Sequence, residues 1–279
     1  MAISKAEELY LNSLRAQVRQ YVENCHLDDG GYFFARMPPS SAMDTYFAVK
    51  TLSLLGLKPG YPEEISKFFQ GFLKRDSYFS LTGLFSAADV LHELGGNIRA
   101  LQKYVPKLKL LRNSMGGFGV IDNLDLEVVS ALESTYRVLK IFDRLGIDFS
   151  KQQIVEFVLK FNNADGGFGN ERISTLASTF YATEIFRLVG YASTDLNATK
   201  KYLRSRENMW QLNYIEDMYW LCGSLSNLNE KTRLHDWIVR FVKTCQRKNG
   251  GFARKDVMGI PTLEDTYYAM SILKNTLQL

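Results

Sequence analysis

The sequence predicts an all-α protein built from six helical hairpins, and three observations predict it. Four Gly-Gly-aromatic turns recur, at Gly30-Gly31-Tyr32, Gly116-Gly117-Phe118, Gly166-Gly167-Phe168 and Gly250-Gly251-Phe252. Their first glycines lie 86, 50 and 84 residues apart, so each long gap spans two periods of a stacked supersecondary unit. Each turn is followed by a Thr-aromatic pair that leads an apolar helical pattern: Thr45-Tyr46, Thr135-Tyr136, Thr179-Phe180 and Thr266-Tyr267. In the first three, a glycine stands ten residues beyond the aromatic, at Gly56, Gly146 and Gly190.

The same offset finds the two hidden copies. Gly95 points back to Phe85, and Tyr219 points forward to Asn229. Two residues after the anchors stand Ala48, Ala87, Val138, Ala182, Leu221 and Ala269, and six after stand Leu52, Leu91, Phe142, Phe186, Leu225 and Leu273. Both columns are apolar throughout and share one helical face with offset nine. Each copy therefore carries a buried helix of roughly three turns, most closed by glycine in a left-handed cap.

Second helical patterns alternate with these, over 13–25, 61–73, 98–111, 151–161, 195–205 and 231–246. They hold most of the charge and suit an outer layer with one face in water.

Composition fits one domain, residues 1–279, with no Pro/Ser/Gly-rich linker to divide it. Hydrophobic residues make up 46% and aromatics 13%, enough for a large core, yet no apolar stretch approaches the ~20 residues of a transmembrane segment. Lys5, Glu7 and Glu8 stand where a signal peptide needs apolar residues. Cys25, Cys222 and Cys245 are too few and scattered for a disulfide framework, so a cytoplasmic location is expected. A net charge of +4, with no basic cluster interleaved with aromatics, argues against a nucleic-acid partner.

Segments 241–252 and 163–169, each a helix end running into Gly-Gly-Phe before a Thr-Tyr-led helix, resemble the repeat of protein prenyltransferase β subunits and of squalene-hopene and class II terpene cyclases. The resemblance covers nearly the whole chain. It implies an α/α toroid whose six inner helices run parallel around a funnel that handles an isoprenoid or polyprenyl small molecule, with or without a helical partner subunit. The function expected is an enzyme acting on a polyprenyl chain by transfer or acid-initiated cyclisation, the alternative being a non-catalytic toroid that binds a prenyl lipid or a protein.

The zinc-dependent prenyltransferases hold their metal with an Asp-x-Cys pair and a His, to activate an acceptor thiol. Matching Tyr219-Trp220 to the family's aromatic pair puts Tyr214 and Glu216 at the first two places and Asp265 at the third. A two-residue shift offers Glu216 and Met218 instead. No zinc cofactor is expected. An Mg²⁺ ion on a diphosphate substrate is compatible with the acidic stretch Asp122-Asn123-Leu124-Asp125-Leu126-Glu127, which reads equally as a solvated loop.

Acidic residues stand where the ligands are missing. Two before each anchor lie Asp44, Gly83, Ser134, Ser178, Asp217 and Asp265, which reads as a helix N-cap column. One position earlier, Glu133, Glu216 and Glu264 are not required by capping, and parallel inner helices bring all three to one mouth. Thr262-Leu263-Glu264-Asp265-Thr266 is similar to the Asp-x-Asp-Asp-Thr motif of class II cyclases, with Thr for the first Asp and Glu for the second. That resemblance makes Glu264 the acid and Asp265 its orienting partner, provided the acid is kept protonated by burial or a neighbouring carboxylate. The positive helix N-termini oppose this and favour a surface or structural glutamate instead.

The anchor aromatics Tyr46, Phe85, Tyr136, Phe180, Tyr219 and Tyr267, with Trp220, form a ring that either packs between helices or lines a π-rich cavity for a prenyl chain. Arg204 and Arg206 precede the fifth inner helix, where the resemblance places cations for a diphosphate.

Overall fold

The computed structural model describes residues 5–74, 80–119, 130–192, 194 and 196–277, with side chains described from residue 12 to 276 within those ranges. Two sets of six α-helices alternate along the described chain. The even-numbered set, led by the predicted anchors, is α2 (Ala42–Leu54), α4 (Leu81–Glu93), α6 (Ala131–Leu145), α8 (Leu176–Val189), α10 (Ile215–Asn227) and α12 (Leu263–Leu277). The odd-numbered set is α1 (Lys5–Glu23), α3 (Pro62–Lys74), α5 (Val105–Leu110), α7 (Lys151–Leu159), α9 (Asn197–Arg206) and α11 (His235–Thr244). A 3₁₀ turn, Arg99–Tyr104, precedes α5. Strands β1 (Phe252–Ala253) and β2 (Pro261–Thr262) form one short antiparallel pair before α12. Among the described residues, no helix is long and apolar enough to cross a membrane.

The chain divides into two compact units. Unit 1 comprises Met1–Lys74, Tyr214–Glu216 and His235–Leu279; unit 2 comprises Arg75–Asn213 and Asp217–Leu234. In unit 1, α2 packs on α12; in unit 2, α6 packs on α4 and on α8.

The columns predicted from sequence form the core of both units. Every residue at offsets two and six from the anchors is buried, and each large apolar side chain among them contributes about 1.5–3 kcal/mol. At offset nine Leu55, Val189 and Leu228 are buried, whereas Leu94 and Leu145 are half-buried. The residue at offset ten has positive φ in five of the six copies, Gly56, Gly95, Gly146, Gly190 and Asn229; in the last it is Leu277, within α12. Asn229, chosen from sequence only by its spacing, is the non-glycine residue that tolerates this left-handed position. The charges expected on the outer layer are mostly exposed, Arg15, Lys67, Lys109, Lys151 and Arg240 among them.

The N-caps lie one turn earlier than the sequence reading placed them. Ser41, Ser80, Ser130, Thr175 and Thr262 accept the backbone N–H three residues on, from Asp44, Gly83, Glu133, Ser178 and Asp265. The column Asp44, Gly83, Ser178 and Asp265 is thus the third helical position, not the cap. The cause is local: a Ser or Thr hydroxyl reaches the N–H three residues ahead from extended backbone, and each helix had this donor-acceptor pair available upstream.

The structure also shows why each Gly-Gly-aromatic turn is coupled to a Thr-aromatic pair. The aromatic residue's N–H donates to the threonine hydroxyl: Tyr32 to Thr45 at 2.9 Å, Phe118 to Thr135 at 2.9 Å, Phe168 to Thr179 at 3.1 Å and Phe252 to Thr266 at 3.0 Å. Each bond satisfies a buried backbone donor and fixes the start of the helix against the turn. The first glycine lets the next odd-numbered helix approach. A Cβ at Gly30 would stand 2.6 Å from the Glu64 carbonyl oxygen of α3, and one at Gly250 would collide with the Gln17 carbonyl of α1. The last repeat therefore seats on the first helix within unit 1.

Candidate functional site

Unit 1 gathers acidic side chains around the first turns of α2, α10 and α12. Asp265, at the third position of α12, is 8% exposed. Thr262 donates its hydroxyl to Asp265 Oδ2 at 2.8 Å and accepts the Asp265 N–H at 2.9 Å. Burial pushes the Asp265 carboxyl up to about 6, Glu264 and Glu216 push the same way, and the Thr262 hydroxyl and Arg254 oppose. Asp44, in α2, is likewise raised to about 6 by burial and by Glu264, against the pull of Ser41.

Glu264 itself is exposed, and its Oε1 accepts from the Tyr268 hydroxyl at 2.8 Å. The burial order is the reverse of the one the sequence reading needed: Asp265 is the buried carboxyl, raised to about 6, and Glu264 is its exposed neighbour. Glu216, at the start of α10, is held by Arg254, whose Nε donates at 2.7 Å and whose Nη2 donates to the same oxygen. The guanidinium also lies over the Tyr214 ring, 4.2 Å from its centroid. Sequence reasoning missed Arg254; its signal was a basic residue two places after Gly-Gly-Phe, which is uninformative without the fold.

The aromatic anchors form an arc in each unit. In unit 1 Tyr46 lies 6.2 Å from Tyr267 between ring centroids, and Phe47 lies 5.5 Å from Tyr267 and 5.8 Å from Tyr268. In unit 2 the arc runs Phe85, Tyr136, Tyr181, Phe180, Tyr219, with successive centroids 6.1, 5.7, 5.5 and 5.1 Å apart. Tyr181 is the link the sequence reading did not name. It stands one residue after the anchor, as Phe47 and Tyr268 do in their helices.

Glu133 belongs to unit 2. Its Oε1 accepts from Arg137 Nη2 at 2.5 Å and from the Tyr181 hydroxyl at 2.8 Å, and it is 6% exposed. Arg137 also donates to the Thr82 hydroxyl and stands over the Phe85 ring. This is a hydrogen-bonded ion pair, its carboxylate buried, that links α4, α6 and α8.

The two predicted arginines part company. Arg204 donates to Glu207, to Glu230 at 2.7 Å and to the Lys231 carbonyl at 2.8 Å, tying α9 to the segment after α10. Arg206 stacks on Tyr202, 4.9 Å from its centroid, and lines a cleft of about 300 Å³ with Trp220, Asp217, Gln211 and the first turn of α8.

The positions where zinc ligands were sought do not fit that metal. Tyr214 is covered by Arg254, Glu216 is paired with Arg254, Met218 is buried and Asp265 is bound to Thr262. Among the described residues, no group of three or more His, Cys, Asp and Glu side chains is placed to hold a metal ion. The acidic stretch Asp122–Glu127, read as a possible Mg²⁺ chelator, lies outside the described residues.

Comparison with known proteins bears on this arrangement. The family described as prenyltransferase alpha-alpha toroid domain matches residues 4–214 and 211–277. Protein geranylgeranyltransferase-I of Candida albicans, solved with GGPP, superposes with a TM-score of 0.69 at 17% identity, over 94% of this chain and 91% of that one. The type II terpene cyclase MstE of Scytonema, as its R337A variant with geranylgeranyl dihydroxybenzoate, superposes with a TM-score of 0.63 at 11% identity, over 96% of each chain. Apo MstE gives 0.62 at 9% identity, over 96% of this chain and 97% of that one. At these identities the likeness to the solved structures is one of fold. Comparison with curated proteins returned no match.

Proposed function

The chain belongs to the prenyltransferase α/α-toroid family, and from that premise we propose that it is an enzyme that starts the cyclisation of a polyprenyl chain by protonating it from Asp265, without zinc. The observation that carries this reading is the pairing of a buried carboxyl, raised to about 6, with the aromatic arc of the same unit. Tyr268 follows Asp265 by three residues, one helical turn, and so shares its side of α12.

In this mechanism the prenyl chain lies against Tyr46, Phe47, Tyr267 and Tyr268. The Asp265 O–H proton passes to an alkene carbon, forming a C–H bond and leaving a carbocation on the neighbouring carbon. The ring faces stabilise that cation. The carboxylate left behind is held more strongly than the neutral acid by groups already in place: the Thr262 hydroxyl, the positive end of α12 and the Arg254 charge. The cation closes on a second double bond and is discharged by loss of a proton. Exposed Glu264, beside Asp265 in sequence, returns a solvent proton for the next cycle. The reading places the protein in the cytoplasm, in keeping with three free, buried cysteines.

A second reading, prenyl transfer, is favoured by the Arg206 cleft. There a guanidinium, the first turn of α8 and the Trp220 ring suit a diphosphate followed by an apolar chain, with Mg²⁺ brought by the substrate beside Asp217. The test is turnover of farnesyl and geranylgeranyl diphosphate by the wild type, Asp265→Asn and Arg206→Gln. Cyclisation predicts product that disappears in Asp265→Asn while prenyl binding persists; transfer predicts loss in Arg206→Gln with Asp265→Asn active. A wild type that binds these chains and turns over neither, with or without Mg²⁺, contradicts cyclisation, and the same outcome with thiol and alcohol acceptors added contradicts transfer and leaves a non-catalytic prenyl-binding toroid.

A further inference from the structure

The third repeat departs from the others in its outer layer, and the departure opens a cavity. Its odd-numbered element is a six-residue 3₁₀ turn joined at Pro106 to the six-residue α5, where the other repeats have helices of 9 to 19 residues. In the turn that follows, Gly117 packs against Phe157 of α7, but the first glycine stands off its neighbour. A Cβ on Gly30 would sit 2.6 Å from the next helix's backbone, and on Gly166 or Gly250 closer still, whereas on Gly116 the nearest atom, the Gln153 carbonyl oxygen of α7, is 3.7 Å away. The space left between α5, the Gly116 turn and α7 is a cavity of about 330 Å³, at the lower end of the range for small-molecule sites.

Its chemistry is two-part. Phe118, Phe142, Phe149 and Ile154 make the apolar walls, with Phe118 and Phe142 edge to face at 5.6 Å. Lys109 and Arg112 stand exposed at the mouth, against one acid, Asp148. Arg112 is steadied by its hydrogen bond to Gln153. Phe142 lies nine residues along α6 from Glu133, about 13 Å of helix, so the cavity is at the far end of that helix from the N-terminal acidic and aromatic groups.

We propose that this cavity is a second ligand site that binds an amphipathic monoanion, a carboxylate with a flexible apolar body of about eight to ten carbons. The apolar body occupies the phenylalanine walls and the carboxylate meets Lys109 and Arg112. The ligand class follows from this charge pattern and volume, independently of any chemistry at Asp265.

The test is calorimetric titration of the full chain with decanoate, with decanol as the same body lacking the charge. Gln153→Trp, at an exposed position on the mouth, fills the cavity, and Lys109→Glu/Arg112→Glu reverses the rim without touching the core; circular dichroism verifies the fold of each. Saturable decanoate binding, weakened about tenfold by the rim reversal, abolished by Gln153→Trp and weaker for decanol, is the expected result. No saturable binding, or binding that survives both variants unchanged, overturns the proposal.

Discussion

Thr262 and Asp265 exchange hydrogen bonds at the start of α12, the hydroxyl donating to Asp265 Oδ2 at 2.8 Å and accepting the Asp265 N–H at 2.9 Å. One short motif thereby caps a helix and orients a buried carboxyl that burial keeps protonated to higher pH than usual. The cap and the buried carboxyl thus belong to the same residue pair.

The raised Asp265 carboxyl has a consequence for stability. The unfolded chain ionises near the ordinary value of 3.8 while the folded chain holds its proton until about 6, so stability falls as pH rises between those values. The loss attributable to Asp265 is roughly 2–3 kcal/mol. Urea unfolding at pH 4.5 and pH 7 should show Asp265→Asn losing less stability than the wild type over that interval; equal losses would place the carboxyl's ionisation elsewhere.

Arg254 opposes the shift on Asp265 and pairs with Glu216. Arg254→Gln should raise the ionisation seen in the pH dependence of activity by roughly half a unit or more, whereas Glu216→Gln should lower it. Identical pH profiles in the two variants would remove Arg254 and Glu216 from the account.

Glu133 is predicted to be structural. Glu133→Ala leaves Arg137 buried without its carboxylate and should cost about 3 kcal/mol in unfolding experiments. Replacing the arginine as well, in Glu133→Ala/Arg137→Met, should recover part of that loss. A double variant as unstable as the sum of the singles would contradict the pairing.

Metal analysis of protein purified without chelator should find far less than one zinc per chain, because Tyr214, Glu216 and Asp265 are engaged by Arg254 and Thr262. One tightly held zinc would restore thiol prenylation as the leading function.

Much of the fold was legible because its signals are local. Left-handed caps at Gly56, Gly95, Gly146, Gly190 and Asn229 and the buried columns at offsets two and six depend on spacing along one helix. The site was less legible because a motif resemblance competed with helix phase. At 100° per residue the buried offsets two, six and nine already put Asp265 on the inner side of α12 and Glu264 off it. The motif resemblance, which set the acid at Glu264, pointed the other way. The Arg254–Glu216 pair joins residues 38 positions apart, and Tyr181 reaches Glu133 across 48, so neither contact has a spacing to read.

The central claim, that Asp265 delivers a proton to a prenyl chain, is tested most directly by turnover in deuterated water. Protonation from a solvent-exchanged carboxyl places one deuterium on carbon in the cyclised product, detectable by mass spectrometry, and Asp265→Asn should form no such product. Product formed at the wild-type rate with no deuterium on carbon, or deuterated product from Asp265→Asn, would contradict the account.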